Sequence, residues 1–165
     1  MNTTNLTGLL VAEAKKRIFD ESYERILKCL NQLTEDQVWQ RPNENLSSVG
    51  NLILHLCGNA RQWIVSGLGG AEDHRIRDKE FMSVSRCSKW KLKRMLDDLK
   101  NDMNKVFDKI TEDELKRVRK VQVFEESGLS ILVHVIEHFS YHTGQITWYT
   151  KMLLDTDLKY YGKLN

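Results

Sequence analysis

Residues 129–154, LSILVHVIEHFSYHTGQITWYTKMLL, decide the fold. Ile131, Val135, Ile146 and Tyr149 fall near one side of a 3.6-residue period, which predicts a helix. It starts near Ser127 or Leu129 and ends at about Leu154. His134, His138 and His142 occupy it at successive four-residue steps, so their side chains lie on one side, a turn apart.

Three more segments carry the same period. From about Asn5 to Leu33, apolar residues from Leu6 to Leu30 follow three- and four-residue steps. Thr34, Glu35 and Asp36 then start a short turn that ends before Pro42. A second long helix begins at Ser47 or Ser48, a suitable N-cap, and carries Val49, Leu52, Ile53, Leu56, Ala60, Trp63 and Ile64 as its stripe. Gly67, Gly69 and Gly70 stop it. Residues Glu72 to Arg86 show no period and read as a long loop. A third helix runs from about Ser88 to Ile110 through Leu92, Leu96, Leu99 and Met103. Thr111 to Glu114 has the form of a capping box opening a short turn. Lys116 to Phe124 alternates, with Val118, Val121 and Val123, as a short strand or an extended connection.

Four long helices predict an all-α, four-helix bundle forming one domain over residues 1–165. The single proline and nine glycines agree, since strands and turns need more such punctuation. The long crossover between the second and third helices permits parallel or antiparallel neighbours.

Hydrophobic residues make up 41% of the chain, which fits a globular core rather than disorder. A net charge of +2 is too small to argue for nucleic acid, and none is expected as a partner. The basic groups Lys89, Lys91, Lys93, Arg94 and Lys116, Arg117, Arg119, Lys120 read as solvated faces. Cys29, Cys57 and Cys87 are widely spaced with no CxxC pair, so neither a zinc knuckle nor a disulfide framework is indicated. A reducing, cytoplasmic home is expected. Met1 to Leu10 lacks the pattern of a signal peptide, and no run of 18 apolar residues predicts a membrane span.

The histidines carry the chemistry. His74 lies in the long loop and reads as solvated. On the last helix each four-residue step rises about 6 Å and rotates about 40°. His134 and His142 are therefore about 12 Å apart, too far for one ion whose bonds to nitrogen are about 2 Å. Only an i,i+4 pair can chelate: His134/His138 or His138/His142. A third ligand must come from another element, and His55 sits inside the second helix's apolar stripe, Leu52-Ile-Leu-His55-Leu56. A buried neutral histidine bonded to a neighbour is the plain alternative there. A histidine pair on a second inward face weakens it. Three neutral imidazoles with open positions suit Zn, Ni, Co or Fe. An HExxH site would need Glu at 139, where Phe139 stands. No pair of inward Glu-x-x-His motifs, serine elbow, P-loop or GxGxxG is present.

Two motifs, Ser47-Ser-Val-Gly-Asn-Leu-Ile-Leu-His55-Leu and His134-Val-Ile-Glu-His138-Phe-Ser-Tyr-His142-Thr-Gly-Gln145-Ile, resemble those of the DinB/YfiT-like metalloenzyme family. The resemblance covers Asn5 to Leu154. It implies a bundle of up-down-down-up course and a divalent metal on His55, His138 and His142, thereby choosing between the two pairs. It further implies a thiol-dependent S-transferase or isomerase, using bacillithiol, mycothiol or glutathione with an electrophile. A homodimer through outward helix faces is the accompanying expectation.

Asn59 and Gln62, one and two turns after His55, are candidates to line the cavity and hold a ligand. Gln145, one turn beyond His142, is another. Glu137 points about 100° away from His138 and reads as surface. Tyr141 and Trp63 read as core. Two other functions compete: metal-dependent hydrolysis, which needs a carboxylate base near the open site, and a non-catalytic metal-binding or structural bundle. His134 is left without a role.

Overall fold

All four expected helices are present in a computed structural model that describes residues 5–82 and 86–161. Residues 1–4 and 162–165 of the expected domain, and 83–85 of the expected loop, lie outside the described residues. Leu6–Lys15, Lys16–Tyr23 and Glu24–Gln32 run on as one helix, α1, whose middle part winds with wider, π-type turns. Glu35–Trp39 is the short α2. Helix α3 comprises Val49–Ala60 and a π-type continuation, Arg61–Leu68. Lys89–Phe107 is α4, Glu112–Lys116 is α5, and Gly128–Leu154 is α6.

Side-chain caps set these starts. Thr34 and Gln37 bond each other's backbone in a capping box, and so do Ser48 and Asn51. Ser88, Thr111 and Ser127 each accept from the amide three residues on. Each cap satisfies amides that a helix start leaves bare, and losing one costs about 1 kcal/mol.

The long helices meet along one apolar core that includes Ile18, Ile26, Leu30, Ile53, Leu56, Leu96, Met103 and Ile131. Burying each such side chain contributes about 1.5–3 kcal/mol. Helix α6 packs on α1 and on α3, and the wide turns of both partners lie against it. Helix α4 packs on α3 and reaches α1 through the Phe19–Phe107 ring contact and the Lys15–Asp108 ion pair.

The chain is mostly helical but not wholly so, which corrects the all-α expectation. Val118–Val121 (β1) and Phe124–Ser127 (β2) form an antiparallel hairpin. Of the valines whose alternation suggested a strand, only Val121 is buried, while Val118 and Val123 are exposed, and Gln122 turns the hairpin with a φ of 56°. Ser127 closes the ladder opposite Val118 and also caps α6, so the hairpin fixes where α6 begins. Among its described residues, the loop expected between α3 and α4 contains a 3-10 turn, Arg77–Glu80. Among the described residues no helix is long and apolar enough to cross a membrane.

Candidate metal centre

The Ser48 cap places His55 two turns into α3, on a stretch buried from Val49 to Ala60 at most positions. The Ser127 cap places His138 and His142 in the middle of α6, at the edge of its buried side. Packing α3 on α6 then brings three imidazoles together. His55, His138 and His142 each offer a ligand atom, and these atoms lie within 4.8 Å of one another. The ring centroids are 4.9 Å apart for His55–His138, 5.0 Å for His55–His142 and 4.4 Å for His138–His142.

Hydrogen bonds on the outer nitrogens orient the rings. Nδ1 of His55 lies 2.8 Å from Glu80 Oε2, and Nδ1 of His142 lies 2.7 Å from Gln145 Oε1. Each Nδ1–H donates to its oxygen, which leaves Nε2 as a lone pair. The Nε2 atoms of His55 and His138 face each other at 3.0 Å.

The charge state suits ligation. Burial, with His142 and His55 nearby, pushes the pKa of His138 down to about 3. Burial also lowers His142, partly offset by its bond to Gln145. Burial pushes the Glu80 carboxyl up, but hydrogen bonds from Arg75 and His55 outweigh this and hold it below the usual range. Neutral imidazoles, a fixed tautomer at two of them and an ionised carboxylate behind one are what a divalent cation requires of its ligands. The residues present therefore fit such an ion.

A pH dependence follows for the protein without metal. Protonating a histidine whose folded pKa is depressed favours the unfolded chain. Stability is thus full above the ordinary histidine value of 6.5 and declines as pH falls from there toward about 3. The melting temperature in chelator is expected to fall between pH 7 and pH 5, and His138→Gln to flatten that slope. A wild-type melting temperature unchanged over this range would contradict the assignment.

Glu80 is the part that sequence reasoning missed. It comes from the loop read as featureless, and its side chain is 9% exposed. Arg75, 5% exposed, clamps it with Nε to Oε1 at 2.7 Å and Nη2 to Oε2 at 2.9 Å. The Arg75 Nη1 donates to Gln62 Oε1 at 2.8 Å, and Asn51 Nδ2 donates to the Glu80 carbonyl at 2.8 Å. Gln62 therefore serves this clamp and does not reach the histidines. Gly58 makes the approach possible, since a Cβ there would collide with Glu80 Oε1. Gly58→Ala is expected to push Glu80 off His55 and weaken zinc binding by about tenfold, the scale of an outer-partner loss. A competition titration that gives wild-type affinity would contradict it.

The other candidates divide. Gln145 orients His142 and also lines a hollow of about 800 Å³ beside His55 and His142. Asn59 is buried, and its Oδ1 has no partner among the described residues. His134 stands outside the triad, stacked between Trp63 at 4.0 Å and His138 at 5.5 Å between centroids. Trp63 is core as expected, but Tyr141 is 62% exposed. Glu137 borders a smaller hollow with His138 and Tyr141. Burial pushes the Cys57 thiol up to about 12, so it is no nucleophile at neutral pH.

Comparison with known proteins places this geometry in context. A family model described as a protein of unknown function, DUF1572, matches residues 8–162. No curated protein matches. A conserved protein from Enterococcus faecalis has a similar structure, with a TM-score of 0.70 at 19% identity, covering 94% of this chain and 99% of that one. The DinB-like protein YjoA from Bacillus subtilis gives 0.66 at 16% identity, covering 95% and 99%. A DinB-like protein from Bacillus cereus gives 0.64 at 18%, covering 82% and 87%. These likenesses establish a shared fold.

Proposed function

Since this chain belongs to the DUF1572 family and has a DinB-like fold, we propose that it binds one divalent metal ion and is a thiol-dependent S-transferase. The observation that carries the reading is the convergence of His55, His138 and His142 from two helices, with no fourth protein ligand in the group among the described residues. Those three residues would hold the ion, with Glu80 and Gln145 fixing two of the rings. A bound cation supplies a Lewis acid, lowering the pKa of a thiol or water brought to its open positions.

The chain's own groups do the rest. No described cysteine is placed among the three histidines, and Cys57 stays protonated, so the thiol comes from a small molecule. Phe81, its ring 5.1 Å from that of His55 and tilted by 43°, packs against that side of the site. In the transfer, the thiol's sulfur bonds to the electrophilic carbon, a leaving group departs with its electron pair, and the thiol proton passes to solvent. An up-down-down-up course accompanies this reading. It is supported by contacts that pair Arg61 with Asp102 and Lys15 with Asp108. A reducing, cytoplasmic setting and a homodimer through the outward side of α6, where Val133 and Met152 are exposed, belong to the same proposal.

Elemental analysis of protein purified without chelators, followed by transfer assays with bacillithiol, mycothiol and glutathione against a chromogenic electrophile, tests it. Metal at one per chain and turnover with one of these thiols is the expected result. Full occupancy with no turnover sinks the transferase and favours hydrolysis, for which Glu137 beside the small hollow is the available carboxylate. No metal, and no gain in melting temperature with zinc or nickel, leaves a structural bundle.

A further inference from the structure

The hollow beside the triad has a one-sided charge. It holds about 800 Å³, and Leu46, Val49, Leu52, Phe81, Trp148 and Tyr149 give it an apolar and aromatic wall. Its polar lining, Asn45, Ser47 and Gln145, is uncharged. No carboxylate lines it among the described residues, and its one permanent formal charge is Arg77.

Arg77 differs from its neighbour Arg75. The Arg75 guanidinium is fully engaged by Glu80 and Gln62. Arg77 forms no ion pair among the described residues. Its guanidinium instead lies 5.4 Å from the centroid of Phe81, and the Phe81 ring in turn lies 5.1 Å from that of His55. A planar cation with free donors is thus held two ring contacts from the candidate ligands. Such a fork matches a carboxylate or sulfonate, where two parallel hydrogen bonds form. An apolar wall with few polar groups takes an apolar body.

We propose that this hollow binds a small amphipathic acid, its anionic group on Arg77, its aryl or alkyl body along Trp148 and Tyr149, and its far end toward His55 and His142. The proposal rests on the metal-centre reading for the role of that far end, and names the class of electrophile the enzyme takes. The recognition itself depends on Arg77 and the wall.

A matched pair of probes tests it, 2-naphthoate and 2-naphthamide, which share a ring system and differ in charge. Binding is followed by tryptophan fluorescence in full-length protein, once with chelator and once with zinc. Wild type is expected to bind the acid about tenfold more tightly than the amide under both conditions. Arg77→Gln should bring the ratio close to one by weakening the acid alone, and Arg77→Lys should keep part of it. Equal binding of both probes by wild type, binding of neither, or a preference that persists in Arg77→Gln overturns the proposal. A preference that appears only with zinc and ignores Arg77 also overturns it, since the acid is then a metal ligand. Failure of the metal reading shows separately: no zinc uptake, with the Arg77-dependent preference intact.

Discussion

Replacing His55 by alanine is expected to lower zinc affinity by more than about 100-fold, beyond the 10–100-fold that loss of an outer partner costs. His55 is the one ligand from α3, so its loss leaves an i,i+4 pair on a single helix. Glu80 Oε2 would lose the Nδ1–H it accepts while keeping its bond from Arg75. The measurement is a competition titration against a chromophoric chelator, backed by thermal unfolding. At zinc one hundred times the dissociation constant, wild type gains about 2.7 kcal/mol, and the variant should gain almost nothing. His134→Ala is the contrast, because its ring lies outside the converging group. Equal zinc affinity in His55→Ala and wild type would remove the metal centre from consideration.

Arg75→Leu is expected to cost about 3–5 kcal/mol of stability, as removing one partner of a buried ion pair does. Both side chains of the Arg75–Glu80 pair are more than nine-tenths buried, so water cannot replace the lost donors. In a chain of this size the melting temperature should fall by roughly 10 °C. Zinc affinity should fall with it, since Glu80 would no longer be held against His55. Combining Arg75→Leu with Glu80→Gln removes the stranded charge and should return part of the stability. Non-additivity of that sign marks a coupled pair. A single variant melting within a degree or so of wild type would show that the clamp is ornamental.

The helices and their starts could be read from the chain because each cap is a local event. Thr34, Ser48 and Ser127 bond to amides three residues away, so their effect is written in adjacent letters. The histidine pair was legible for the same reason, since four-residue spacing on one helix is a local fact. Spacing alone could not decide between His134/His138 and His138/His142. That choice depends on how α6 is rotated against α3, and the fold brings His138 and His142 to His55 while Trp63 holds His134 aside. Glu80 was invisible because nothing local marks it. Its burial comes from Arg75, from Asn51 across the loop and from the space left by Gly58. The hairpin was half legible, an extended segment visible near Val118–Val121 while the turn at Gln122 and the partner strand were not. Gln62 was expected at the cavity because it shares a side of the helix with His55, but its carbonyl is taken by Arg75.

His55 and His138 are separated by 83 positions in the chain, yet their Nε2 atoms nearly touch. An ion held there would act as a reversible cross-link, closing a loop that spans half the protein. Unfolding would then require either breaking that clasp or pulling α3 and α6 apart with it in place. Loop closure of this length confines the unfolded chain much as a disulfide does. Resistance to a serine protease, which needs no metal of its own for catalysis, should therefore rise with zinc and drop on chelation, giving a readout of occupancy that needs no substrate at all.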